Sequence, residues 1–595
     1  MTTPTSIGET RSSPPGPENG WPRFGFSRLS FDTGEIARTG ILLIVLACVI
    51  TPLAFLILGS FSNARLPGEF SFANLSLKNH ISVWSSPISY NVFLNTLIYA
   101  LGSTFFGLVF AITLAWLIER CDLPGKIWIY AAIPITLAMP GMLQAMAWVV
   151  LLSPKIGFFN KLLMQTFGLE SAPFNIYSLS GMIFVESIRL VPTAFLMLVP
   201  LLKGMDPSFE EAAAMSGASA RQRLFKVSLP LLLPGLLAIA IFQFITALEI
   251  FEIPGILGLP SGIFVFSTRI YSTLHSSSFL PNYGEANALS LVYLIIALAS
   301  TLIYARVLTQ AGRYSTISGK GFRPRMQALG RWRWPAFMLV MFYLLIAVIL
   351  PVLVLAFISF MPFLQTPSFA SLSRLTLDNY RTLFETDAMG QVLMNTLWLV
   401  VVTSTATVLV SFIIALIVVR SRFWGRRLLD QLAFLPHSIP GIVMGLAMLW
   451  IFLKLDKMGV GLFGTIWSVC IVFTIGFMSY GTRAMNAALL QVHQELEEAG
   501  LMSGANFFTI LRRILLPLLL PACVGVWIWT ALHAARMASQ PLLLTEGHSN
   551  EVLAVMVWNL WGEGQSVVVG AIGTLMVLFL MGLTLVMRWL SSARA

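Results

Sequence analysis

The sequence predicts an all-α polytopic membrane protein that consists of two parallel six-helix repeats. Of its 595 residues, 57% are hydrophobic and only 11% are charged, whereas a soluble protein has about 25% charged residues. Its apolar runs reach the roughly 20 residues with which a helix crosses a bilayer. Only helices or closed barrels satisfy their backbone in hydrocarbon, and runs of this length are helices. A polar stretch also occurs twice, 287 residues apart.

Twelve apolar runs are candidate membrane spans, six on each side of a basic segment. We predict a disordered cytoplasmic tail at 1–38, a first half at 39–310, a basic cytoplasmic linker at 311–334 and a second half at 335–595. The predicted spans are 40–60, 92–117, 128–152, 179–202, 231–256, 288–308, 335–360, 392–419, 430–454, 466–488, 516–538 and 567–589.

The basic residues predict the orientation of these spans. Most of the 37 lysines and arginines fall on one side when the spans alternate, and that side holds the tail, the linker and both polar stretches. Cytoplasmic loops are rich in Lys and Arg, so both termini are predicted in the cytoplasm. The formal charge of +11 is explained by these loops next to membrane lipid, and no nucleic-acid partner is predicted.

Two further site classes are not indicated by the sequence. The four cysteines contain no CxxC pair, so neither a disulfide framework nor a zinc site is predicted, and the ligands of any metal stay unknown. The segment "SGKG" at Ser318 lacks the first Gly and the final Ser or Thr of a phosphate-binding loop. We therefore expect no ATP site, no catalytic residue and no cofactor bound by this chain.

The repeated stretch reads "EEAAAMSGASARQRLFKVSLPLLLP" from Glu210 and "EEAGLMSGANFFTILRRILLPLLLP" from Glu497. Acidic residues at the start and basic residues at the end suit the helix dipole. Gly217 and Gly504 are poor residues for a helix interior, so they predict a turn between two short helices. One alternative is a helix that merely rests among lipid headgroups. Two copies at equivalent places favour docking to a partner with two equivalent sites.

Both copies resemble the EAA motif of permease subunits of bacterial ATP-binding cassette importers. The motif is Glu-Ala-Ala, three residues, Gly, nine residues, Ile, one residue, then Leu-Pro. Its positions are occupied in the first copy by Glu211, Ala212, Ala213, Gly217, Val227, Leu229 and Pro230, and in the second by Glu498, Ala499, Gly500, Gly504, Ile514, Leu516 and Pro517. Val227 and Gly500 depart from it conservatively.

The resemblance implies a fold of the MetI-like permease type and a mechanism. In that family the motif forms a coupling helix that sits in a cleft of an ATPase subunit. It implies two copies of a cytoplasmic ABC ATPase, an external (periplasmic) substrate-binding protein and a place in the bacterial inner membrane. ATP would act only through the partner ATPase, so the chain is not expected to be an enzyme.

Ionisable residues within spans are candidates for the pathway or a gate. Glu186 and Arg189 lie one helical turn apart and either neutralise each other or contact cargo. Glu249 and Glu252 are predicted on one face of the fifth span, and the repeat places Arg536 opposite them, one turn after His533. These charges either form an ion pair between the halves at the outer gate or contact cargo.

Two Pro-Gly pairs are candidate helix breaks. Pro140–Gly141 and Pro440–Gly441 lie within the third span of each half. Such pairs are tolerated within a bilayer where they line a cavity.

Fusion of two halves in one chain resembles the ferric iron importers, with thiamine and 2-aminoethylphosphonate importers as relatives. "LEIFEIPGILGLPSGIFVFSTRIY" from Leu248 and "RYSTISGKGFRPR" from Arg313 are most similar to the ferric type. Ferric iron is therefore the expected cargo, with 2-aminoethylphosphonate, thiamine or polyamine as alternatives. A secondary transporter driven by an ion gradient is the alternative of another class, but it would not need duplicated docking helices.

Overall fold

The computed structural model describes residues 31–64, 69–204, 208–275, 281–311, 326, 328–365, 369–385 and 387–592. Within these ranges the chain is helical, and its β contacts are the isolated bridges Ser62–Leu75 and Gly464–Thr545. Most of the predicted tail and linker lies outside the described residues. The first helix begins at Phe31, inside the segment predicted as tail.

The first half contains helices α1 to α13. They are α1 Phe31–Ser60, α2 Lys78–Ser85, α3 Pro87–Arg120, α4 Lys126–Ile135, α5 Gly141–Leu152, α6 Phe158–Phe167, α7 Leu179–Lys203, α8 Ser208–Met215, α9 Ala220–Arg223, α10 Leu229–Glu249, α11 Glu252–Leu257, α12 Phe266–Leu274 and α13 Tyr283–Ala311.

The second half contains α14 to α26, in which α14 and α15 together form the first span and no described helix corresponds to α6. Its helices are α14 Arg333–Leu344, α15 Leu350–Ser359, α16 Asp378–Glu385, α17 Asp387–Ala415, α18 Arg426–Phe434, α19 Gly441–Lys457, α20 Ile466–Leu490, α21 Gln494–Met502, α22 Phe507–Ile510, α23 Leu516–Arg536, α24 Pro541–Leu544, α25 Leu553–Gly562 and α26 Ser566–Ser592.

Nine helices of the described part are long and apolar enough to cross a membrane. The tenth predicted span corresponds to the 25-residue helix α20. The third and ninth predicted spans are broken: α4 and α5 are separate helices, and α18 and α19 meet at 110°. Both breaks lie at the Pro-Gly pairs, Pro140–Gly141 and Pro440–Gly441, that the sequence offers as candidate helix breaks.

The fifth and eleventh spans end at Glu249 and Arg536, before their predicted ends at 256 and 538. Helix α10 ends at Glu249 because Ile250 is extended, with ψ of 136°, and Met537 ends α23 in the same way with ψ of 129°. Each is followed by a pair of short helices, α11–α12 and α24–α25, before the next span. The first pair is bent by 69°, and its helices α11 and α12 are largely buried.

The fifth span of each half, α10 or α23, begins with the same irregular turn. A π-helical turn at Leu224–Ser228 precedes α10, and another at Leu511–Leu515 precedes α23. Pro230 and Pro517 are the second residue after each turn. Proline has no backbone N–H to donate, and single π turns are typical local adjustments within α-helices. The repeated Leu-Pro thus marks the point where each repeated stretch enters the membrane region.

The two halves interlock through their first spans. Helix α1 packs against α18 and α19 of the second half, and α15 packs against α5 of the first half. Both large apolar cores contain residues from each half. The halves are therefore held together by exchanged helices, and the broken spans α4–α5 and α18–α19 lie at the boundary between them.

Candidate functional site

The repeated polar stretches form two matching helix-turn-helix elements, α8–α9 and α21–α22. Gly217 and Gly504 have φ of 82° and 81°, a left-handed conformation that glycine adopts without steric cost. In each copy the next N–H, from Ala218 or Ala505, donates at 3.0 Å to the carbonyl five residues earlier. The two copies therefore have the same local geometry, and the glycines occupy turns rather than helix interiors.

The motif side chains of both elements face solvent. Glu211 and Ala212 are exposed in α8, Glu498 and Ala499 are exposed in α21, and Ala213 and Gly500 are partly buried. Large apolar side chains lie exposed beside them: Met215 at 90%, Met502 at 82% and Phe508 at 76%. Contiguous exposed apolar residues with a charged rim are typical of a protein interaction surface. We call these two elements the coupling surface.

Arg420 anchors the second half of the coupling surface, and the sequence prediction did not include it. Its Nε donates to Glu497 Oε1 at 2.7 Å, and its Nη2 donates to the carbonyls of Leu489 and Val492. Both side chains of the ion pair are largely buried. Arg120 occupies the matching position of the first repeat, 300 residues earlier, and donates to the carbonyl of Leu202 at 2.9 Å. The occurrence of an arginine at the same position of both repeats was the sequence signal that could have identified Arg420.

Glu186 and Arg189 form a bidentate ion pair within α7. The Arg189 Nε and Nη2 atoms donate to the two carboxylate oxygens at 2.8 and 2.5 Å. The Glu186 side chain is fully buried. Each charge thus has its partner inside the protein, as a buried charge requires.

Glu249 and Glu252 belong to different helices, which corrects the prediction that they share one helix face. The extended Ile250 separates the end of α10 from the start of α11. Glu252 Oε1 accepts a hydrogen bond from the backbone N–H of Ala538 in the second half at 3.2 Å. The Oε1 atom of Glu249 is buried and has no hydrogen-bond partner among the described residues.

Arg536 contacts the first half through a backbone carbonyl rather than through a carboxylate. Its Nη1 donates to the carbonyl of Leu137 at 2.5 Å, and its Nη2 donates to His533 Nε2 at 2.8 Å. His533 Nδ1 lies 2.8 Å from the carbonyl of Trp529, so with Nε2 accepting from Arg536 the Nδ1 atom is the donor of this ring. The halves meet here, but not through the predicted pair between Arg536 and Glu249 or Glu252.

The two Pro-Gly pairs lie at helix breaks that face the charged residues described above. Pro140 and Pro440 are extended residues that precede α5 and α19. A Cβ atom on Gly141 would lie 3.3 Å from Arg189 Cδ, and one on Gly441 would lie 2.6 Å from Gln540 Nε2. Glycine thus permits close contact between each broken span and the polar cluster.

Two further polar residues belong to this cluster and were not predicted as site residues. Gln540 and Ser539 are buried, and the Ser539 hydroxyl donates to Gln540 Oε1 at 2.8 Å. Ser539 is the repeat counterpart of Glu252, which was the available signal. We call Glu186, Arg189, Glu249, Glu252, His533, Arg536, Ser539 and Gln540 the central cluster. No group of three His, Cys, Asp or Glu residues in the described ranges could hold a metal ion.

Comparison with known proteins identifies the repeated unit. The family described as "Binding-protein-dependent transport system inner membrane component" matches residues 107–312 and again residues 407–593. The two matches cover most of each half, including both copies of the coupling surface. Both contain the broken connection that follows the fifth-position span.

Relatives extend the similarity over nearly the full chain. The ferric transport system permease protein FbpB of Actinobacillus pleuropneumoniae is 25% identical over 576 residues, which are 95% of this chain and 80% of the relative. The putative ferric transport system permease protein FbpB 1 of Haemophilus influenzae is 29% identical over 448 residues, 74% of this chain and 67% of the relative. The spermidine/putrescine permease PotC of Haemophilus influenzae is 28% identical over 207 residues, 34% of this chain and 77% of the relative.

These relatives are permeases, the transmembrane parts of importers rather than enzymes. The double match and the repeated helices agree: two family units are joined in one polypeptide. This chain belongs to the family of inner membrane components of binding-protein-dependent transport systems.

Proposed function

We propose that this permease imports ferric iron, which an external binding protein delivers and two copies of a cytoplasmic ATPase drive across the membrane. The observation that supports this cargo assignment is the similarity to a ferric permease over 95% of this chain. Fusion of both halves in one polypeptide supports it as well. Both termini are proposed to lie in the cytoplasm, on the side of the coupling surface.

The coupling surface supports the proposal of two ATPase copies. Each half presents one exposed helix-turn-helix with the same turn and the same exposed glutamate, Glu211 or Glu498. Equivalent surfaces related by a repeat fit equivalent partners, as in a symmetric dimer. ATP binding would draw the two ATPases together and move both elements with them. The rigid anchor between Arg420 and Glu497 would pass this movement into α17 and α20.

The central cluster supports a polar passage at the boundary between the halves. Ferric iron is a hard cation that prefers oxygen ligands, and the cluster offers carboxylate, hydroxyl and amide oxygens. Glu249 is the member whose carboxylate has an unsatisfied oxygen among the described residues. Arg189 is already neutralised by Glu186, and Arg536 is directed to the carbonyl of Leu137. Both arginines of the cluster are thus bonded to protein oxygens and do not face the proposed passage while it is closed.

A polyamine is the second candidate cargo. The similarity to PotC supports it, although that similarity covers only 34% of this chain. A polyamine is also cationic, so the carboxylates of the central cluster do not distinguish between the two candidate cargos.

Uptake measurements in a deletion strain test the proposal. Deleting the gene should lower uptake of radiolabelled ferric iron, and restoring the gene should recover it. Uptake of thiamine, 2-aminoethylphosphonate and spermidine should persist. Normal iron uptake together with loss of one of the other three would overturn the iron assignment and leave the importer assignment in place.

A further inference from the structure

Two aromatic side chains at equivalent positions of the repeat contact each other. Tyr271 of α12 and Trp558 of α25 are 287 residues apart, the same offset as the two polar stretches. Their ring centroids lie 5.7 Å apart at an interplanar angle of 78°. When equivalent residues of two repeats meet, the contact lies at the pseudo-two-fold axis that relates the repeats. This contact therefore lies at the centre of the boundary between the halves.

Trp558 is seated in a pocket that the first half provides. Its ring lies 5.0 Å from that of Phe251, and Phe251 lies 5.1 Å from Tyr271. A Cβ atom on Gly255 would come within 2.5 Å of the Trp558 ring, so the seat requires glycine. The indole of one half thus fills a site that the other half shapes for it.

The aromatic contact lies next to the central cluster, away from the coupling surface. Helix α10 begins after the coupling element α8–α9 and ends at the opposite side of the bundle, where α11 and α12 follow. Phe251 directly precedes Glu252, whose carboxylate bonds to the N–H of Ala538 in the second half. The rings therefore lie beside the central cluster, on the side where we propose that cargo arrives.

A repeated Asn-Thr pair from the second span of each half holds the start of α12 or α25. The asparagine donates to a backbone carbonyl before the short helix, and the threonine hydroxyl accepts from the backbone N–H of its first residue. These contacts are Asn95 to Phe264 at 3.2 Å, Phe266 to Thr96 at 3.0 Å, Asn395 to Glu551 at 3.0 Å and Leu553 to Thr396 at 2.9 Å. A tilt of α3 or α17 would thus carry its short helix along.

We infer that Tyr271 and Trp558 form the outer gate of the permease, and that α12 and α25 are the paired helices that open it. This inference rests on the proposed function. When the halves separate on the outer side, each Asn-Thr pair withdraws its short helix and the two rings part. The central cluster then faces the binding protein. When the halves close, Trp558 returns to its seat on Gly255 and seals the passage.

A reversible cross-link tests the gate. Tyr271→Cys and Trp558→Cys are combined in a chain whose native cysteines Cys48, Cys121, Cys470 and Cys523 are replaced by alanine. The complete transporter, with its ATPase and binding protein in vesicles, is treated with a short reducible bis-thiol reagent. Cargo uptake should fall to background and return after dithiothreitol, because joining the helices prevents the outer side from opening. Recovery also shows that the variant is folded.

The matched control joins two residues of one half. Phe242→Cys and Tyr304→Cys start from a ring separation of 6.3 Å and lie on α10 and α13 of the same half, outside the proposed gate, so their cross-link should leave uptake within about twofold of the reduced sample. Full uptake through the cross-linked Tyr271–Trp558 pair would overturn the gate. Failure of the iron assignment is distinguishable, because then the untreated transporter itself would not take up iron but would take up another cargo.

Discussion

Arg189 illustrates how this permease keeps charge inside a membrane. Its guanidinium donates twice to Glu186, whose side chain is fully buried, and its stem packs beside Gly141 at the helix break. Removing one member of such a pair leaves an uncompensated charge, whereas replacing both members with apolar residues is often neutral. A structural role and a transport role therefore predict different outcomes for single and double substitutions.

We predict that Arg189→Met alone destabilises the permease by about 3–5 kcal/mol, because Glu186 is left buried without its partner. The double variant Glu186→Leu, Arg189→Met should recover most of that stability. Reversible unfolding in detergent measures both. If the double variant is stable but does not transport, the pair also acts in the passage. A single variant as stable as the native chain would contradict the prediction.

At the scale of elements, α21 combines an exposed face, which we propose docks the ATPase, with a buried anchor. Glu498 is exposed on α21, but its neighbour Glu497 is buried against Arg420, which ends the second span of the second half. Gly500, which departs from the family motif, lies where a Cβ atom would be 3.1 Å from Ile510 and Ile514. One face of α21 thus packs inward, and the opposite face is free for a partner.

We predict that substitutions on the exposed face and on the buried face of this element have different effects. Glu211→Ala with Glu498→Ala should weaken ATPase association by about tenfold or more, which corresponds to 1.4 kcal/mol, without loss of stability, because both side chains are exposed. Arg420→Ala should instead destabilise the chain by about 3–5 kcal/mol, since it leaves Glu497 buried and unpaired. Co-purification with the ATPase and unfolding in detergent measure the two effects.

Arg381→Ala is the matched control for these variants. It removes the exposed pair with Glu385, at 2.7 Å within one helix, and exposed pairs of this kind contribute about 0.3–0.5 kcal/mol. ATPase binding should be unchanged, and stability should fall by no more than about 0.5 kcal/mol. Equal loss of ATPase binding in Arg381→Ala and in the coupling-surface variants would argue against a specific docking face.

At the scale of the whole molecule, repetition determines the topology. The sequence predicts six spans in each half, so both halves are expected to enter from the same side. The first span of each half packs on the other half, and the rings of Tyr271 and Trp558 meet at the boundary. Motion at the coupling surface therefore has a continuous helical connection to the outer side.

We predict that the coupling surface faces the cytoplasm. In a cysteine-free background, Ser82→Cys on α2 should react with an impermeant maleimide added to intact cells, because this exposed residue lies on the side opposite the coupling surface. Ser503→Cys, exposed in the turn after α21, should react only after permeabilisation in cells that lack the ATPase. Reversed labelling would contradict the orientation that the basic loops predict.

The sequence by itself determined the helical membrane architecture, the two repeats and the coupling turns. These features depend on local signals: apolar runs of span length, a duplicated motif, and glycines at positions that need left-handed backbone. The Pro-Gly pairs were also visible, and the structure places them at helix breaks that face the central cluster.

Only the tertiary structure decided which side chains meet. The break after Glu249 lies at Ile250, where neither Gly nor Pro stands, so Glu252 was assigned to the wrong helix. The bonds from Arg536 to Leu137 and from Glu252 to Ala538 join residues 399 and 286 positions apart, and hydropathy has no information at such separations. The same holds for Arg420 with Glu497 and for Tyr271 with Trp558. Periodicity specifies each helix and its copy, but the packing of one half against the other specifies which side chains meet at the boundary between them.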